Sequence, residues 1–263
     1  MNKPSPTAST AGPGHAPAGD AEAPPSQRAP AKLGRIQAWS GALFALFLVL
    51  HLATAASAIA GIDRYNSTLQ TLRHLYRPHV VVEIVLIGCS GAVHIACAVL
   101  QMVRRRRVVA WSGPWWMRAH RLTGYFLLLV IGGHVLATRV APTLATGATA
   151  TGMADFSFLA YATLWLPAFF WPYYIALGIS GSIHLAIGLH LARRILLRHT
   201  SAPHGPAAGP RRPAGHPTPA FLVTGAVVTL LVVSGVLGIL GRAGDAPRTR
   251  FPEYKALFDK LLP

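Results

Sequence analysis

Gly88-Cys89-Ser90-Gly91-Ala92-Val93-His94-Ile95-Ala96 and Gly178-Ile179-Ser180-Gly181-Ser182-Ile183-His184-Leu185-Ala186 are two copies of one pattern, a histidine set in an apolar run behind a Ser-Gly pair. A second pair of segments aligns without gaps: Arg35, Ser40, Gly41 and His51 share their spacing with Arg118, Thr123, Gly124 and His134. The chain therefore reads as a duplicated pair of helices, each helix carrying one histidine inside its apolar stretch. Duplication of this kind relates equivalent residues by a pseudo-twofold axis.

The runs around these histidines decide the class. Of 263 residues, 52% are hydrophobic and only 12% charged, too apolar for an ordinary soluble domain. Apolar runs near 36–60, 80–103, 119–140, 168–192 and 219–241 are each long enough to cross a bilayer as a helix. Backbone groups in lipid must bond within their own segment, so the expectation is an all-α integral membrane protein with five transmembrane helices. A soluble protein with buried core helices is the competing reading, and runs of this length exceed ordinary core helices.

The formal charge of +16 invites a nucleic-acid partner, but its distribution argues against one. With the N-terminus inside, Lys3, Arg28, Lys32, Arg35, Arg104 to Arg107, Arg118, Arg121, Arg193, Arg194, Arg198, Arg211 and Arg212 all fall on the inner side, and these are most of the 24 basic residues. Short loops arranged this way follow the positive-inside rule, N-terminus in and C-terminus out. Basic loops beside an anionic leaflet account for the charge. The two cysteines, Cys89 and Cys97, share one helix, and no Cys-x-x-Cys-His occurs, so neither a disulfide framework nor covalently attached haem is indicated.

Residues 1–31 are rich in Pro and Ala and are expected to form an unordered N-terminal arm. Residues 32–241 form the five-helix domain, and 242–263 a short external tail in which 251–262 suits an amphipathic surface helix. The 61–79 outer connection carries Asp63, Arg64, Tyr65, Asn66, Arg73 and His74. The 104–118 connection is basic and holds Trp111, Trp115 and Trp116, residues suited to a membrane interface. A longer outer connection, 141–167, is expected to include a short helix from about Asp155, and 199–218 is a Pro-rich inner link. Pro172 is expected in the first turn of the fourth span or as a kink within it.

At 1.5 Å per residue, His51 and His134 sit roughly 24 Å beyond inner-boundary arginines, and His94 and His184 roughly 14–15 Å from theirs. The four thus form two layers, an outer pair His51/His134 and an inner pair His94/His184. Neutral imidazole is a good haem ligand, and two of them fill both axial positions of the iron. The arrangement suggests two bis-histidine haem centres that transfer electrons rather than bind oxygen. The small residues Ser90, Gly91, Ser180, Gly181, Gly132 and Gly133 leave room for a flat macrocycle or a close helix. His120 lies at the inner boundary, where it suits an interface or a haem propionate. His190 falls on a different helix face from His184, and His15, His74, His79, His199, His204 and His216 lie in or beside polar segments.

Over 35–241 the chain resembles the dihaem cytochrome b membrane-anchor subunit of succinate:quinone oxidoreductases, the succinate dehydrogenase and fumarate reductase family. The resemblance is carried by Ser40-Gly41 before His51, by Arg118-Ala119-His120-Arg121-Leu122-Thr123-Gly124 before His134, and by Gly188-Leu189 after His184. It implies that His94 and His184 bind a proximal haem near the cytoplasmic partner and His51 and His134 a distal haem, two haem b in all. It also implies that Gln37, Trp116 and Arg194 stand where family members surround haem propionates. It implies flavoprotein and iron–sulfur subunits on the cytoplasmic face, a quinone substrate (menaquinone) near the distal haem, and a bacterial inner, cytoplasmic membrane. Asp63, Arg64, Tyr65, Asn66 and Glu83 are the polar candidates at that quinone site. The chain itself has no flavin motif and no cysteine cluster, so no dicarboxylate chemistry is expected in it. Some fumarate-reducing members carry a helix-four glutamate two residues before the ligand histidine. Here that residue is Ser182, which favours the succinate-oxidising direction. The competing readings are a cytochrome b subunit of a hydrogenase or formate dehydrogenase, a free-standing b561-like protein, and a haem-free transporter or structural protein.

Overall fold

The structure, a computed structural model, describes residues 25–76, 80–104, 113–140, 155–197 and 217–261. Helix α1 (Pro25–Ser57) begins inside the stretch read as an unordered arm, and residues 1–24 of that arm lie outside the described residues. It runs on through a 3-10 turn, Ala58–Ala60, to Gly61. There φ is 108°, a conformation that favours glycine, and the chain turns directly into α2 (Ile62–Tyr76). The outer 61–79 connection is therefore largely a helix. Asp63 in its first turn and Arg73 and His74 in its last turn complement the helix dipole.

Helix α3 covers 80–104, and its Glu83–Cys89 turns are π-helical. Helix α4 covers Trp115–Val140 and ends on a second π-helical stretch, Leu136–Val140. Helix α5 (Phe156–Trp165) starts where the Asp155 carboxylate accepts the Phe158 N–H at 3.2 Å, in accord with the short helix expected there. Helix α6 (Pro167–Leu197) opens on Pro167, so Pro172 falls in its second turn rather than its first. Helix α7 (Pro219–Gly241) opens on Pro219 behind Thr218, whose hydroxyl oxygen accepts the Phe221 N–H at 3.3 Å. Helix α8 (Phe251–Leu261) closes the chain. The Pro-rich inner link from 198 to 216, Trp111, Arg105 to Arg107, Arg198, His79, His199, His204 and His216 lie outside the described residues.

The all-α expectation holds. The described residues contain helices and no strand, and five segments are long and apolar enough to cross a membrane: Lys32–Ala60, Glu83–Arg104, Trp115–Val140, Pro167–Leu197 and Pro219–Gly241. Their exposed faces are apolar, as Leu129 (82% exposed) and Leu230 (66%) illustrate, which suits contact with lipid rather than water.

Helices α1 and α6 form the spine. α3 packs on α1, α4 packs on α6, and α7 lies against both α1 and α6. α3 and α4 barely touch along their backbones, which leaves a slot between them. The α7 seam is set by small residues, as helix association in lipid requires. A Cβ at Gly235 would run into the Ala55 carbonyl and Ala56, so only glycine lets the two backbones approach this closely. Leu52, Val232, Val236 and Leu240 fill the rest of that seam.

At one end, called here the outer end, α2, α5 and α8 form a cap over the bundle. Tyr65, Phe156, Ala160 and Ile239 are buried in one cluster there, and Phe158, Tyr254, Leu257 and Phe258 in another. The apolar face of the expected tail helix is thus covered by α5. Asp155 is the hub, pairing with Arg250 Nη1 at 3.0 Å and accepting from the Tyr254 hydroxyl at 3.0 Å while capping α5. Burial, and then the Asp155 carboxylate, push the Tyr254 phenol well above its ordinary value, and burial does the same to Tyr65.

Candidate cofactor site: two histidine pairs in one cavity

A cavity of about 1220 Å³ lies within the bundle, lined by α1, α3, α4, α6 and part of α7, with α2 and α5 contributing at its outer end. It exceeds the roughly 300–1,000 Å³ of an ordinary small-molecule pocket. Close-packed interiors leave few voids larger than a water, so a space of this size has room for more than one large ligand. His51, His94, His134 and His184 all line it, along with Gly41, Gly91, Gly124, Gly132 and Gly181.

The histidines meet in twos. The His94 and His184 ring centres are 6.2 Å apart with planes at 86°, and those of His51 and His134 are 6.0 Å apart at 75°. An imidazole nitrogen bonds a first-row metal at about 2 Å with its ring centre about 1 Å behind, so two trans imidazoles on one metal put their centres about 6 Å apart. Edge-to-face packing gives a similar spacing. The placement of protons and the room around the rings bear on which arrangement they serve.

In the inner pair, His94 Nδ1 lies 3.1 Å from the Gln37 carbonyl and His184 Nδ1 lies 3.1 Å from the His120 carbonyl. A carbonyl oxygen only accepts, so Nδ1 carries the proton in both rings, and the neutral imidazole keeps its Nε2 lone pair free. Metal-ligating histidines are held in this way, the second nitrogen donating to a carbonyl that fixes tautomer and orientation. The duplication extends to atomic detail. Gln37 and His120 are equivalent positions in the aligned repeats, each two residues after the matched arginine. The Ser40 hydroxyl donates to the same Gln37 carbonyl at 3.2 Å, and the Thr123 hydroxyl to the His120 carbonyl at 3.0 Å. Gly41 faces His94, where an added Cβ would meet Nδ1 at 2.6 Å, and Gly124 faces His184, where it would meet Cε1 at 2.9 Å. The repeated glycines are the seats of the inner histidines.

The outer pair is held differently. His134 Nδ1 is 3.2 Å from the Tyr173 hydroxyl, and His51 stacks on Phe47 at 5.5 Å. His51 and His134 each follow a seat glycine by ten residues, so the two levels are about 15 Å apart along the helices. That exceeds the roughly 10 Å obtained by counting from boundary arginines, because the arginines on different helices do not mark one plane.

Among the described residues no group of three or more His, Cys, Asp or Glu is placed to hold a bare metal ion. Histidines paired across a large apolar cavity suit a metal whose other ligands come from a macrocycle, and by donor set, spacing and room these residues fit two haems.

The remaining expected residues divide. Gln37 lines the cavity, and its side chain accepts from Gln101 Nε2 at 2.5 Å. Trp116 is fully buried against His190, and neither it nor Arg194 lines the cavity. Gly91 faces Phe44 and Gly181 faces Leu52, so both also serve helix packing, while Gly132 stands open to the cavity and Gly133 lies off it. Of the polar quinone candidates, Tyr65 and Glu83 line the outer end of the cavity. Asp63 and Arg64 do not, and Asn66 instead caps α5 by accepting the Phe156 N–H at 3.1 Å. Glu83 also bridges the slot, paired with Arg139 of α4 through two hydrogen bonds of 2.6 and 3.1 Å. His120, treated as a boundary residue in the sequence, lines the cavity with its ring stacked on His184. Its alignment with Gln37 was the available signal. No known protein family, curated protein or solved structure matches this chain.

Proposed function

We propose that this chain is the dihaem cytochrome b subunit anchoring a complex of the succinate dehydrogenase/fumarate reductase type in the bacterial cytoplasmic membrane, N-terminus inside and C-terminus outside. It carries electrons between an iron–sulfur subunit, itself joined to a flavoprotein, and a quinone. The observation that carries this reading is the pair of histidine couples in one cavity, the inner couple with Nδ1 committed to backbone carbonyls and Nε2 left for a metal. His94 and His184 hold the inner haem, and His51 and His134 the outer. When bound, haem supplies a one-electron couple, and two imidazoles per iron leave no open position for oxygen.

The chain's own residues do the rest. The carbonyls of 37 and 120 hold the inner ligands in one tautomer. The glycines at 41 and 124 let those rings lie flush against α1 and α4, and the apolar walls keep water from the centres. Ser182 is buried with its hydroxyl donated to the Gly178 carbonyl at 2.8 Å. No Asp or Glu occupies the third to fifth spans. Both facts support succinate oxidation, since neither provides an acid that would move protons across these helices.

A reduced-minus-oxidised absorption spectrum of the purified protein, with haem quantified against protein, tests the reading. Two b-type haems per chain are expected, and their absence would end it. Isolation from native membranes tests the partners. Recovery with hydrogenase or formate dehydrogenase subunits, in place of a succinate-oxidising flavoprotein, would keep the haems and replace the complex.

A further inference from the structure

We infer that His120 is a positioning residue of the inner centre, fixing the plane of the His184 ring by stacking on it. The inference rests on the dihaem reading above. The His120 and His184 ring centres are 4.1 Å apart with planes 14° from parallel. The His120 ring also lies close to the next turn of α6, where a Cβ at Gly188 would stand 3.3 Å from His120 Cε1. The same residue therefore restrains its neighbour twice. Its carbonyl accepts the hydrogen bond from His184 Nδ1–H and sets the direction in which Nε2 points. Its ring sets the rotation about that direction, which the hydrogen bond alone leaves soft.

The first repeat lacks this second restraint. The equivalent side chain, Gln37, turns to Gln101 instead of covering His94. His120 also keeps a buried Nδ1 with no hydrogen-bond partner, an arrangement that folded proteins normally avoid. A packing role alone would be met by an apolar side chain. The ring is retained here against a ligand whose plane stands at 86° to that of the opposite ligand.

The angle between two axial imidazole planes governs the g-anisotropy of a low-spin ferric haem, so the effect can be read without any turnover. His120→Ala removes the ring and leaves the backbone carbonyl, and His120→Phe restores a flat ring of similar size. Electron paramagnetic resonance and haem content are measured on both variants of the full chain. In His120→Ala, the largest g value of the inner centre is expected to shift or broaden, or the inner haem is lost, with the outer signal unchanged. His120→Phe is expected to return the inner signal toward wild type. Gly188→Ala, which presses a methyl against the ring, should move the inner signal alone. An unchanged inner signal in His120→Ala, or a His120→Phe spectrum no closer to wild type than that of His120→Ala, overturns the inference while leaving the two haems standing. A wild-type chain without haem overturns the parent reading, and this inference with it.

Discussion

The two inner histidines illustrate how much a single position can determine. Each ring fits only because its neighbour across the helix seam has no side chain, and each keeps Nε2 free, the nitrogen that would bind a metal on the dihaem reading, only because Nδ1 has a carbonyl to bond. His94→Ala or His184→Ala is therefore expected to lower the haem-to-protein ratio from two to about one, with the outer haem retained. Gly124→Leu should do the same without touching a ligand, because its Cβ would fall within 2.9 Å of His184. Haem quantification of these three variants checks this, and an unchanged ratio in the ligand variants would refute the inner assignment. On the same reading, the outer pair depends on a phenol instead. Tyr173→Phe removes the contact to His134 Nδ1 and is expected to shift the outer midpoint potential while leaving the inner one in place, as redox titration would read. The four histidines and their glycines were legible because the repeats align by spacing. His120 was legible only as the partner of Gln37 in that alignment, since its stacking depends on the rotation of α4 against α6, which spacing does not specify.

At the level of elements, length and hydropathy located the five spans closely, and the fifth run coincides with Pro219–Gly241. Helix α2 was not legible in the same way. Its polar residues read as a loop, although Ile62, Tyr65 and Leu69 already had the spacing of one helix face. The docking of α8 was equally hidden, because an amphipathic tail suits either lipid or protein and only the aromatic surface of α5 decides between them. Asp155 ties that cap together. Asp155→Ala removes a helix cap, the ion pair to Arg250 Nη1 and the acceptor of the Tyr254 hydroxyl, an expected loss of about 1–3 kcal/mol for the cap. Limited proteolysis should then cut beyond Gly241 earlier than in wild type. The cap should also weaken in alkali. The Tyr254 phenol is held neutral by burial first and by Asp155 second, whereas the unfolded chain ionises near its ordinary value of 10.0. Its contribution is complete below that pH and falls away above it, as the unfolded state gains charge that the folded state resists. Tyr254→Phe should flatten this part of the pH dependence, measured as protease resistance of the tail on either side of pH 10.

For the molecule as a whole, the spine of α1 and α6 sets everything else. α3 and α4 hang from opposite members of the spine, which is what separates them and opens the cavity. No local pattern encodes that gap, so the sequence displayed the histidines without displaying the room between them. The spine in turn relies on α7 behind it. Gly235→Leu would push α7 off Ala55 and is expected to destabilise the bundle by about 1–3 kcal/mol through overpacking. It should lower the thermal midpoint in detergent and release both haems together, in contrast to the one-haem loss of the ligand variants.

The gap between α3 and α4, bridged at one end by the Glu83–Arg139 pair, also bears on biogenesis. On the dihaem reading, a rigid, planar cofactor need not be threaded into a nascent chain or enclosed by late-folding helices. It can slide in sideways from the acyl-chain phase after all the helices are in place. On that reading, maturation would be a separable event that follows membrane integration, with an intact apoprotein in the bilayer as its intermediate.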